Sequence, residues 1–489
     1  MTQHPNILLI LTDQHRLSAL GSYGSTPCQT PHLDRLATEG VRFENAYTTC
    51  PVCSPARASV ISGQYPHRHG VLTNCGASGP VWNIPDHPRM LPRQLQRQGY
   101  RCGYSGKWHL CPEPNCVEWF NQPIPHHLPR DLGFDGQNFP GHGGGGFHYQ
   151  EYQDYLRGHG LEFRRFPGSE NPRENRWPSY AIQDGPKEAT VDHFLTNHTI
   201  SLLDQYRVGD APFFIWHNYW GPHEPYYPVE EFFDAYRNLE IAPWPNYEIP
   251  GNLLQAQHRL KVHPRADEYE WSYWERALRH YYAFTTQIDD QIGRLYDHLE
   301  QTGLLDDTII IFSSDHGETL GSHGGMTDKG YSHFEEIQRI GMIIRYPEKY
   351  RPTNCPPGTV RSELASLVDI YPTCLDLAGV AELPEETHGA SLHALLDGRA
   401  TQWRDAAFVE FGGLYAPTLM VTCRHGDWKY GYNANAEDEL YNLAEDPHET
   451  RNLAEDPGCR AVRRDLLERL AWHLPPGARQ EVERCLKEI

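Results

Sequence analysis

Three short runs of consecutive apolar residues end in polar side chains that can take part in chemistry. The runs are residues 7–11, 213–216 and 308–312, followed by Thr12-Asp13-Gln14, His217-Asn218 and Ser313-Ser314-Asp315-His316-Gly317. Continuous rather than alternating apolar residues are typical of strands buried on both faces, as in a parallel sheet. Binding sites in open α/β sheets gather beyond the carboxyl ends of such strands. The pattern therefore predicts that the polar ends of these runs meet in one crevice.

Helical periodicity between the runs indicates an α/β fold. The clearest segment is residues 276–301, where apolar residues recur at helical spacing, and residues 31–38 and 362–377 show weaker patterns. Helices that alternate with buried strands favour a large, mostly parallel sheet sandwiched between helices. Residues 111–190 are rich in Pro, Gly, His and Asn, and we expect long irregular loops there.

The C-terminal part of the chain is predicted to form a second, smaller unit. Residues 407–411 and 419–422 predict short strands, and residues 460–474 predict an amphipathic helix. We therefore expect a main domain over residues 1–385 and a smaller α+β domain over residues 386–489. With 489 residues, of which 39% are hydrophobic, the chain is long enough for more than one domain.

The charge of the chain disfavours nucleic acids and membranes as partners. It has 43 basic and 64 acidic residues, a net charge of −21, and such chains bind polyanions poorly. No apolar run approaches the roughly 18 residues of a membrane span, and the N-terminus lacks the features of a signal peptide. We therefore expect a cytoplasmic protein, or a periplasmic or secreted one if a leader has been removed. The 12 cysteines are too sparse for a disulfide scaffold.

The segment Cys53-Ser54-Pro55-Ala56-Arg57 places a reactive side chain beside a position that favours anions. Ser54 is a suitable N-cap and Pro55 a suitable first helical residue, so the segment predicts the start of a helix. Cys53 would then lie just before the helix N-terminus, where backbone N–H groups and the helix dipole favour negative charge. Arg57, one turn into the helix, can point back to the same place.

Two other interpretations of Cys53 stay open at this stage. A cysteine is often only a small buried hydrophobic residue. Cys50 and Cys53 also form a Cys-x-x-Cys pair, which occurs in redox sites and zinc sites. A zinc site would need a second pair, for which Cys111 and Cys116 are an option with loose spacing.

Several further segments form an ordered set of motifs with the one around Cys53. They are residues 6–13, 106–110, 221–225, 314–318 followed by Lys329, and 439–453. Together with Cys-x-Pro-x-Arg and the Ser-Gly pair at 62–63, they resemble the motifs of the sulfatase family. The resemblance implies an alkaline-phosphatase-like fold, with a large α/β domain and a smaller C-terminal domain.

The resemblance implies one divalent metal ion at the ends of two buried strands. The implied ligands are Asp13, Gln14, Asp315, His316 and an oxygen of the modified Cys53. Carboxylate oxygens suit Ca²⁺, whereas Gln14 in place of a carboxylate and the imidazole of His316 favour Mn²⁺ as the alternative. The Asp-Gln and Asp-His pairs are similar to those of the phosphonate monoester hydrolase and choline-sulfatase-like branch.

The resemblance also implies a covalent mechanism. A maturation enzyme would oxidise Cys53 to formylglycine, whose hydrate carries two hydroxyls: one attacks sulfur, and the other lets sulfate leave afterwards. Arg57 would stabilise the hydrate, Lys107 would contact the hydrate and the sulfate, and His109 would take the proton of the second hydroxyl.

The remaining implied residues bind the substrate. Lys107 and Lys329 would neutralise the sulfate oxygens, and His223 or Lys329 would protonate the leaving oxygen. Asn74 resembles an active-site residue of the phosphonate hydrolase branch and is expected to contact the substrate.

The sequence therefore predicts hydrolysis of aryl or carbohydrate sulfate monoesters. Hydrolysis of phosphonate monoesters or phosphodiesters at the same site is the alternative, and an inactive metal-binding protein on this fold is an alternative of another class. The intact set of site residues argues against the inactive protein. The expected partners are the substrate and the maturation enzyme, and association into a homo-oligomer stays open.

Overall fold

The computed structural model describes residues 4–76, 83–112, 127–139, 145–166, 178–249, 269–414 and 417–486. Its strands, numbered along the chain, are β1 Asn6–Asp13, β2 Val41–Tyr47, β3 Arg101–Gly106, β4 Asp135–Gly136, β5 Arg164–Arg165, β6 Gln183–Asp184, β7 Phe213–Pro222, β8 Thr308–Ser314, β9 Arg339–Ile340, β10 Met342–Arg345, β11 Thr359–Ser366, β12 Ala406–Phe411, β13 Met420–His425, β14 Trp428–Asn433 and β15 Glu439–Asn442.

Within the described residues, nine strands form one mixed sheet. Its order is β11-β2-β10-β8-β1-β7-β3-β4, and β9 pairs with β2. The centre is parallel, because β1 runs parallel to both β7 and β8, and β7 runs parallel to β3. The short strand β10 is antiparallel to both of its neighbours. This arrangement confirms the predicted mixed, mostly parallel sheet.

The α-helices pack on both faces of this sheet and around the C-terminal part. They are α1 Pro31–Glu39, α2 Cys53–Ser62, α3 Pro66–His69, α4 Leu91–Arg97, α5 Gln150–His159, α6 Val191–Tyr206, α7 Glu230–Phe233, α8 Trp271–Gln301, α9 Ser322–Gly325, α10 Glu335–Gln338, α11 Ile370–Leu377, α12 Leu392–Leu396, α13 Arg460–His473 and α14 Pro476–Leu486. The helices predicted at 31–38 and 276–301 are confirmed, and the second begins five residues earlier than predicted.

Strand β1 lies in the middle of the sheet, and its apolar side chains pack into two hydrophobic cores, one on each face. Leu8 and Ile10 pack into the core that contains α1, α6 and α8. Ile7, Leu9 and Leu11 pack into the opposite core with α2, α4 and α11. Full burial of each such side chain contributes about 1.5–3 kcal/mol to folding. The result is the sheet between two helical layers that the sequence predicts.

The three predicted buried strands end side by side. In the parallel register, Thr12 of β1 lies opposite Ser314 of β8, and Leu11 lies opposite Asn218 of β7. Asp13 and Asp315 follow at the same edge of the sheet. The expectation that the polar ends of the three runs meet is therefore confirmed.

Two segments differ from their predicted structure. Residues 362–377 are not one helix, because β11 continues to Ser366 and pairs with β2 before α11 begins at Ile370. Pairing along the sheet edge outweighs the weak helical periodicity there. Within the predicted irregular loops of 111–190, α5 forms because Tyr152 and Leu156, one turn apart, pack into a core. The parts of that prediction at 113–126, 140–144 and 167–177 lie outside the described residues.

The C-terminal part has its own antiparallel sheet, in the order β12-β13-β14-β15. Helices α13 and α14 cover one face of it and share its apolar cluster. The predicted C-terminal strands and helix are confirmed, whereas the domain boundary at residue 385 stays a prediction. Across the ranges given above, every helix is too short or too polar to cross a bilayer.

Candidate active site

Cys53 lies in the first turn of α2 and is fully buried. The helix begins at Cys53 with Val52 as N-cap, so the prediction of Ser54 as N-cap is wrong. The Ser54 hydroxyl instead donates to the carbonyl oxygen of His109. The side-chain oxygen of Asn74 accepts a hydrogen bond from the backbone N–H of Ser54 at 3.0 Å and satisfies a free donor of the helix start. Contact of Asn74 with a substrate stays a prediction.

Arg57 holds two buried carboxylates together one turn further into α2. Its Nη2 donates to Oδ2 of Asp13 at 2.9 Å, and its Nε donates to Oδ2 of Asp315 at 3.1 Å. Nη1 donates to the carbonyl oxygen of Lys107 at 3.0 Å and to the side-chain oxygen of Asn218 at 2.8 Å. The side chains of Arg57, Asp13 and Asp315 have no solvent exposure. Buried charges of this kind are tolerated only when they are paired and hydrogen-bonded.

Arg57 pairs with both carboxylates, and the ammonium group of Lys107 pairs with Asp13 as well. Burial acts to raise the pKa of Asp13, but Lys107, His223 and Arg57 together hold that pKa well below its usual range. Burial and the neighbouring Asp13 carboxylate raise the pKa of Asp315. A divalent cation between the carboxylates would stabilise the ionised form of both.

Four side chains direct ligand atoms at one point. The ligand atoms of Asp13, Cys53, Asp315 and His316 all lie within 4.8 Å of one another. The Nδ1 atom of His316 is 2.9 Å from the carbonyl oxygen of Gly317 and donates to it, which directs Nε2 to the cluster, 3.3 Å from Sγ of Cys53. Metal-bound imidazoles are commonly oriented in this way. Two carboxylates, one imidazole and the side chain at position 53 therefore fit one divalent cation.

Gln14, a predicted metal ligand, lies outside this group of four. Its Oε1 accepts a hydrogen bond from Nζ of Lys329, and its Nε2 donates to Glu318 and, at 3.2 Å, to Asp328. Its backbone has a φ of 59°, in the left-handed region, and its N–H donates to Oδ1 of Asp315 at 3.0 Å. The side chain of Gln14 therefore positions Lys329 in this structure, and metal binding by Gln14 stays a prediction.

Cations surround the side chain of Cys53. Nζ of Lys107 lies 3.5 Å from Sγ. Burial and the Asp13 carboxylate act to raise the pKa of the Cys53 thiol, but Lys107, Lys329 and His316 outweigh them and lower the pKa to about 6. The position therefore stabilises negative charge, as a site for a nucleophile or for an oxygen of an anionic substrate requires.

His109 and His223, the two predicted proton-transfer residues, are both buried beside this cluster. Burial, reinforced by Lys107, holds the pKa of His109 well below its usual range, so its imidazole is neutral and can accept a proton. Nδ1 of His223 donates to the carbonyl oxygen of Glu224 at 2.6 Å, and the ring lies near enough to Asp13 to lower the pKa of that carboxyl.

The two cysteines of the Cys-x-x-Cys pair have different surroundings. Cys50 and Cys53 are both free thiols. Cys50 lies in an apolar cluster with Val52 and Tyr331, and burial raises its pKa well above the usual range. Cys53 instead faces Lys107 and His316, and its pKa is lowered, so the two thiols belong to separate groups of side chains. The suggested second zinc pair includes Cys116, which lies outside the described residues.

Comparisons with known proteins identify one family. The family model described as Sulfatase matches residues 5–380, and the model for the C-terminal region of N-sulphoglucosamine sulphohydrolase matches residues 321–474. The chain is 28% identical to an N-acetylglucosamine-6-O-sulfatase of Bacteroides thetaiotaomicron, over 92% of this chain and 83% of that protein. It is 29% identical to a choline-sulfatase of Rhizobium meliloti, over 93% of this chain and 83% of that protein.

The fold has a solved counterpart of nearly the same extent. The phosphonate monoester hydrolase of Agrobacterium radiobacter matches with a TM-score of 0.76 and 26% identity, over 96% of each chain. This similarity confirms the predicted alkaline-phosphatase-like fold. The Sulfatase model covers well over half of the chain, and the relatives match along most of their own length. The chain therefore belongs to the sulfatase family, with features of the branch that contains choline-sulfatases and phosphonate monoester hydrolases.

Proposed function

We propose that this chain hydrolyses sulfate monoesters at the site around Cys53. The observation that supports this most strongly is the convergence of two carboxylates and two lysines on one buried side chain, at Asp13, Asp315, Lys107 and Lys329. Carboxylates that hold a cation, together with fixed lysines, suit a site that binds a sulfate group and stabilises charge on its oxygens.

Position 53 supplies the nucleophile in this proposal. A maturation enzyme converts Cys53 to formylglycine, and the structure shows the unmodified thiol in the place of that group. Arg57, Lys107 and the N-terminus of α2 stabilise negative charge on the attacking oxygen. His109, which burial keeps neutral, accepts a proton from the modified side chain when the product leaves.

The sulfate group lies between Lys107 and Lys329 in this proposal. His223 or Lys329 protonates the leaving oxygen, which helps most when the leaving group is a sugar alcohol rather than a phenol. Asn74, which caps α2 beside Cys53, contributes to the substrate side of the site. The similarity to an N-acetylglucosamine-6-O-sulfatase favours carbohydrate sulfates as the natural substrates, with aryl sulfates as convenient synthetic ones.

One divalent cation, Ca²⁺ or Mn²⁺, completes the proposed site through Asp13, Asp315 and His316. When bound, it supplies positive charge that lowers the pKa of a hydroxyl and polarises the sulfate oxygens. Dialysis against a chelator is therefore expected to lower aryl sulfate hydrolysis by about 10²-fold or more, with recovery on adding the correct ion. Recovery is measured separately with Ca²⁺ and Mn²⁺. Full activity after complete chelation, verified by metal analysis, would contradict the metal assignment.

Hydrolysis of phosphonate monoesters is the second candidate function. The observations that favour it are the structural similarity to a phosphonate monoester hydrolase and the Gln14 and His316 pair beside the carboxylates. The two functions are separated by the ratio of kcat/KM for 4-nitrophenyl sulfate and a 4-nitrophenyl phosphonate monoester, which share one leaving group. A higher value for the sulfate supports the proposal, and a higher value for the phosphonate replaces it with the second candidate.

Substitution of Lys329 tests how the sulfate group is held. Lys329→Met is expected to lower kcat/KM for sulfate esters by about 10²–10³-fold, because it removes a buried cation that faces Cys53. Lys349 is a matched control, since its ammonium group pairs with Asp307 in a partly exposed position. Lys349→Met is expected to retain the activity of the original chain. Equal activity in both variants would show that Lys329 does not contact the substrate.

A further inference from the structure

A second group of side chains of metal-ligand type, which the proposed reaction does not use, lies beside a cavity of about 420 Å³. The cavity forms where α3 meets β12 and the C-terminal end of α13. Its lining includes Tyr65, His67, His388, Arg404, Phe408 and His473.

Three side chains converge at this cavity. Nδ1 of His67 lies 2.7 Å from Oε1 of Glu410, and Nε2 of His473 lies 2.6 Å from the same oxygen. The three ligand atoms all lie within 4.8 Å of one another. Two imidazole nitrogens and one carboxylate oxygen are a typical ligand set for Zn²⁺ in a site that keeps one position for water. The cavity gives room for that fourth ligand.

The surrounding residues hold each of these ligands in place. The second carboxylate oxygen of Glu410 accepts a hydrogen bond from the backbone N–H of His67 at 2.9 Å. The ring of His473 stacks on Phe408, with 4.0 Å between the ring centroids and an angle of 9°, and meets the edge of Tyr65 at 4.6 Å. Fixed orientation of this kind lowers the entropy cost of binding a metal ion.

The charges around the cavity also favour a cation. The side chain of Glu410 is only 6% exposed, so an uncompensated carboxylate there would be costly. Arg404 lines the same cavity, but its guanidinium is paired with both carboxylate oxygens of Asp369. The partners of the Glu410 carboxylate are therefore the imidazoles of His67 and His473. A bound metal ion would take the place of the ring protons that now lie between these imidazoles and the carboxylate.

We propose that His67, Glu410 and His473 bind one Zn²⁺ ion, separate from the cation beside Cys53. This ion connects two parts of the chain. His67 lies on α3, directly after the helix that carries Cys53, whereas Glu410 and His473 lie on β12 and α13 of the C-terminal unit. The site is half-open, since 19% of the His67 side chain is exposed, so zinc can enter the folded protein. Its principal effect is to stabilise the packing of the C-terminal unit on the main sheet.

The test measures zinc content and thermal unfolding, not ester hydrolysis. The full-length protein is stripped with a chelator, the site beside Cys53 is refilled with excess Ca²⁺, and ZnCl₂ is added before desalting. The original chain is expected to retain one zinc ion per chain more than a His67→Asn/His473→Gln double variant. Zinc is expected to raise the unfolding temperature of the original chain and not that of the variant.

Two further variants keep the result interpretable. His67→Asn alone keeps the hydrogen bond from the backbone N–H of residue 67 to Glu410, and it provides a second test if the double variant does not fold. His425→Asn removes a partly exposed imidazole on β13 that pairs with Asp405 and should behave like the original chain. Equal zinc content in the original chain and both His67 variants would overturn the proposal and leave a hydrogen-bonded His–Glu–His cluster. Neither outcome alters the expected hydrolysis of sulfate esters.

Discussion

Replacing Cys53 with alanine is expected to lower kcat for sulfate ester hydrolysis by about 10⁴-fold or more. The substitution removes the side chain on which the carboxylates, Lys107 and Lys329 converge. The protein should still fold, because alanine is well tolerated in the first turn of a helix and the lost volume is small. Steady-state kinetics with an aryl sulfate measure kcat, and thermal unfolding measures whether the variant is folded.

Cys50→Ala is the matched control for this substitution. Cys50 is equally buried and lies only three residues earlier, but its thiol belongs to a separate apolar cluster. The control variant is expected to keep kcat near that of the original chain. If both substitutions abolish activity to the same extent, a paired-thiol mechanism would fit better than a single nucleophile at position 53.

Replacing Arg57 with methionine is expected to destabilise the metal-free protein by about 3–5 kcal/mol and to remove most activity. The guanidinium of Arg57 bridges Asp13 and Asp315, and its loss leaves two fully buried carboxylates without that partner. A divalent cation should restore part of the stability, because it compensates the same two carboxylates. Denaturant unfolding with and without Ca²⁺ or Mn²⁺ measures the effect.

Arg404→Met separates this expectation from a general effect of breaking buried ion pairs. Arg404 binds both carboxylate oxygens of the buried Asp369, away from the Cys53 cluster. Its substitution should also destabilise the protein. When both variants are compared in the His67→Asn background, which removes a ligand of the proposed zinc site beside Arg404, added cation should not restore stability of the Arg404 variant beyond its effect on the parent chain. If added cation restores the stability of both variants equally, or of neither variant, the assignment of Asp13 and Asp315 as metal ligands is contradicted.

The sequence predicts those parts of the fold in which several consecutive residues are apolar and buried. Strands β1, β7 and β8 are apolar on both faces, so a short local window is enough to identify them and their polar ends. Helix α8 is equally clear because its 31 residues repeat a helical pattern many times. A short local window does not identify strand β11, because this strand is stabilised by pairing with β2, more than 300 residues away in the sequence.

The predicted site residues meet in space, but several of their hydrogen-bond partners are decided by the fold. Ser54 has the residue type of an N-cap, yet Asn74, 20 residues away, caps the helix. Glu318 and Asp328 support Gln14 and were not among the predicted site residues, although Glu318 lies within the motif at 314–318. Such contacts depend on loop geometry, which residue spacing alone does not determine.

The sequence alone gives even less indication of the candidate zinc ligands. His67 and Glu410 are separated by 343 residues, and Glu410 and His473 by 63. No short spacing or repeated pattern links them in the sequence, and the chain has 28 histidines from which to choose. Only the packing of α3 against β12 and α13 brings these three side chains together.

The most direct test of the proposed mechanism is a mass spectrum of the peptide that contains Cys53, taken from protein made in its native host. If Cys53 is converted to formylglycine, the mass of the peptide is lower by the difference between a CH₂SH group and an aldehyde group, and fragmentation assigns the change to position 53. An unmodified thiol at position 53 in fully active protein, or a disulfide between Cys50 and Cys53, would contradict the proposed mechanism.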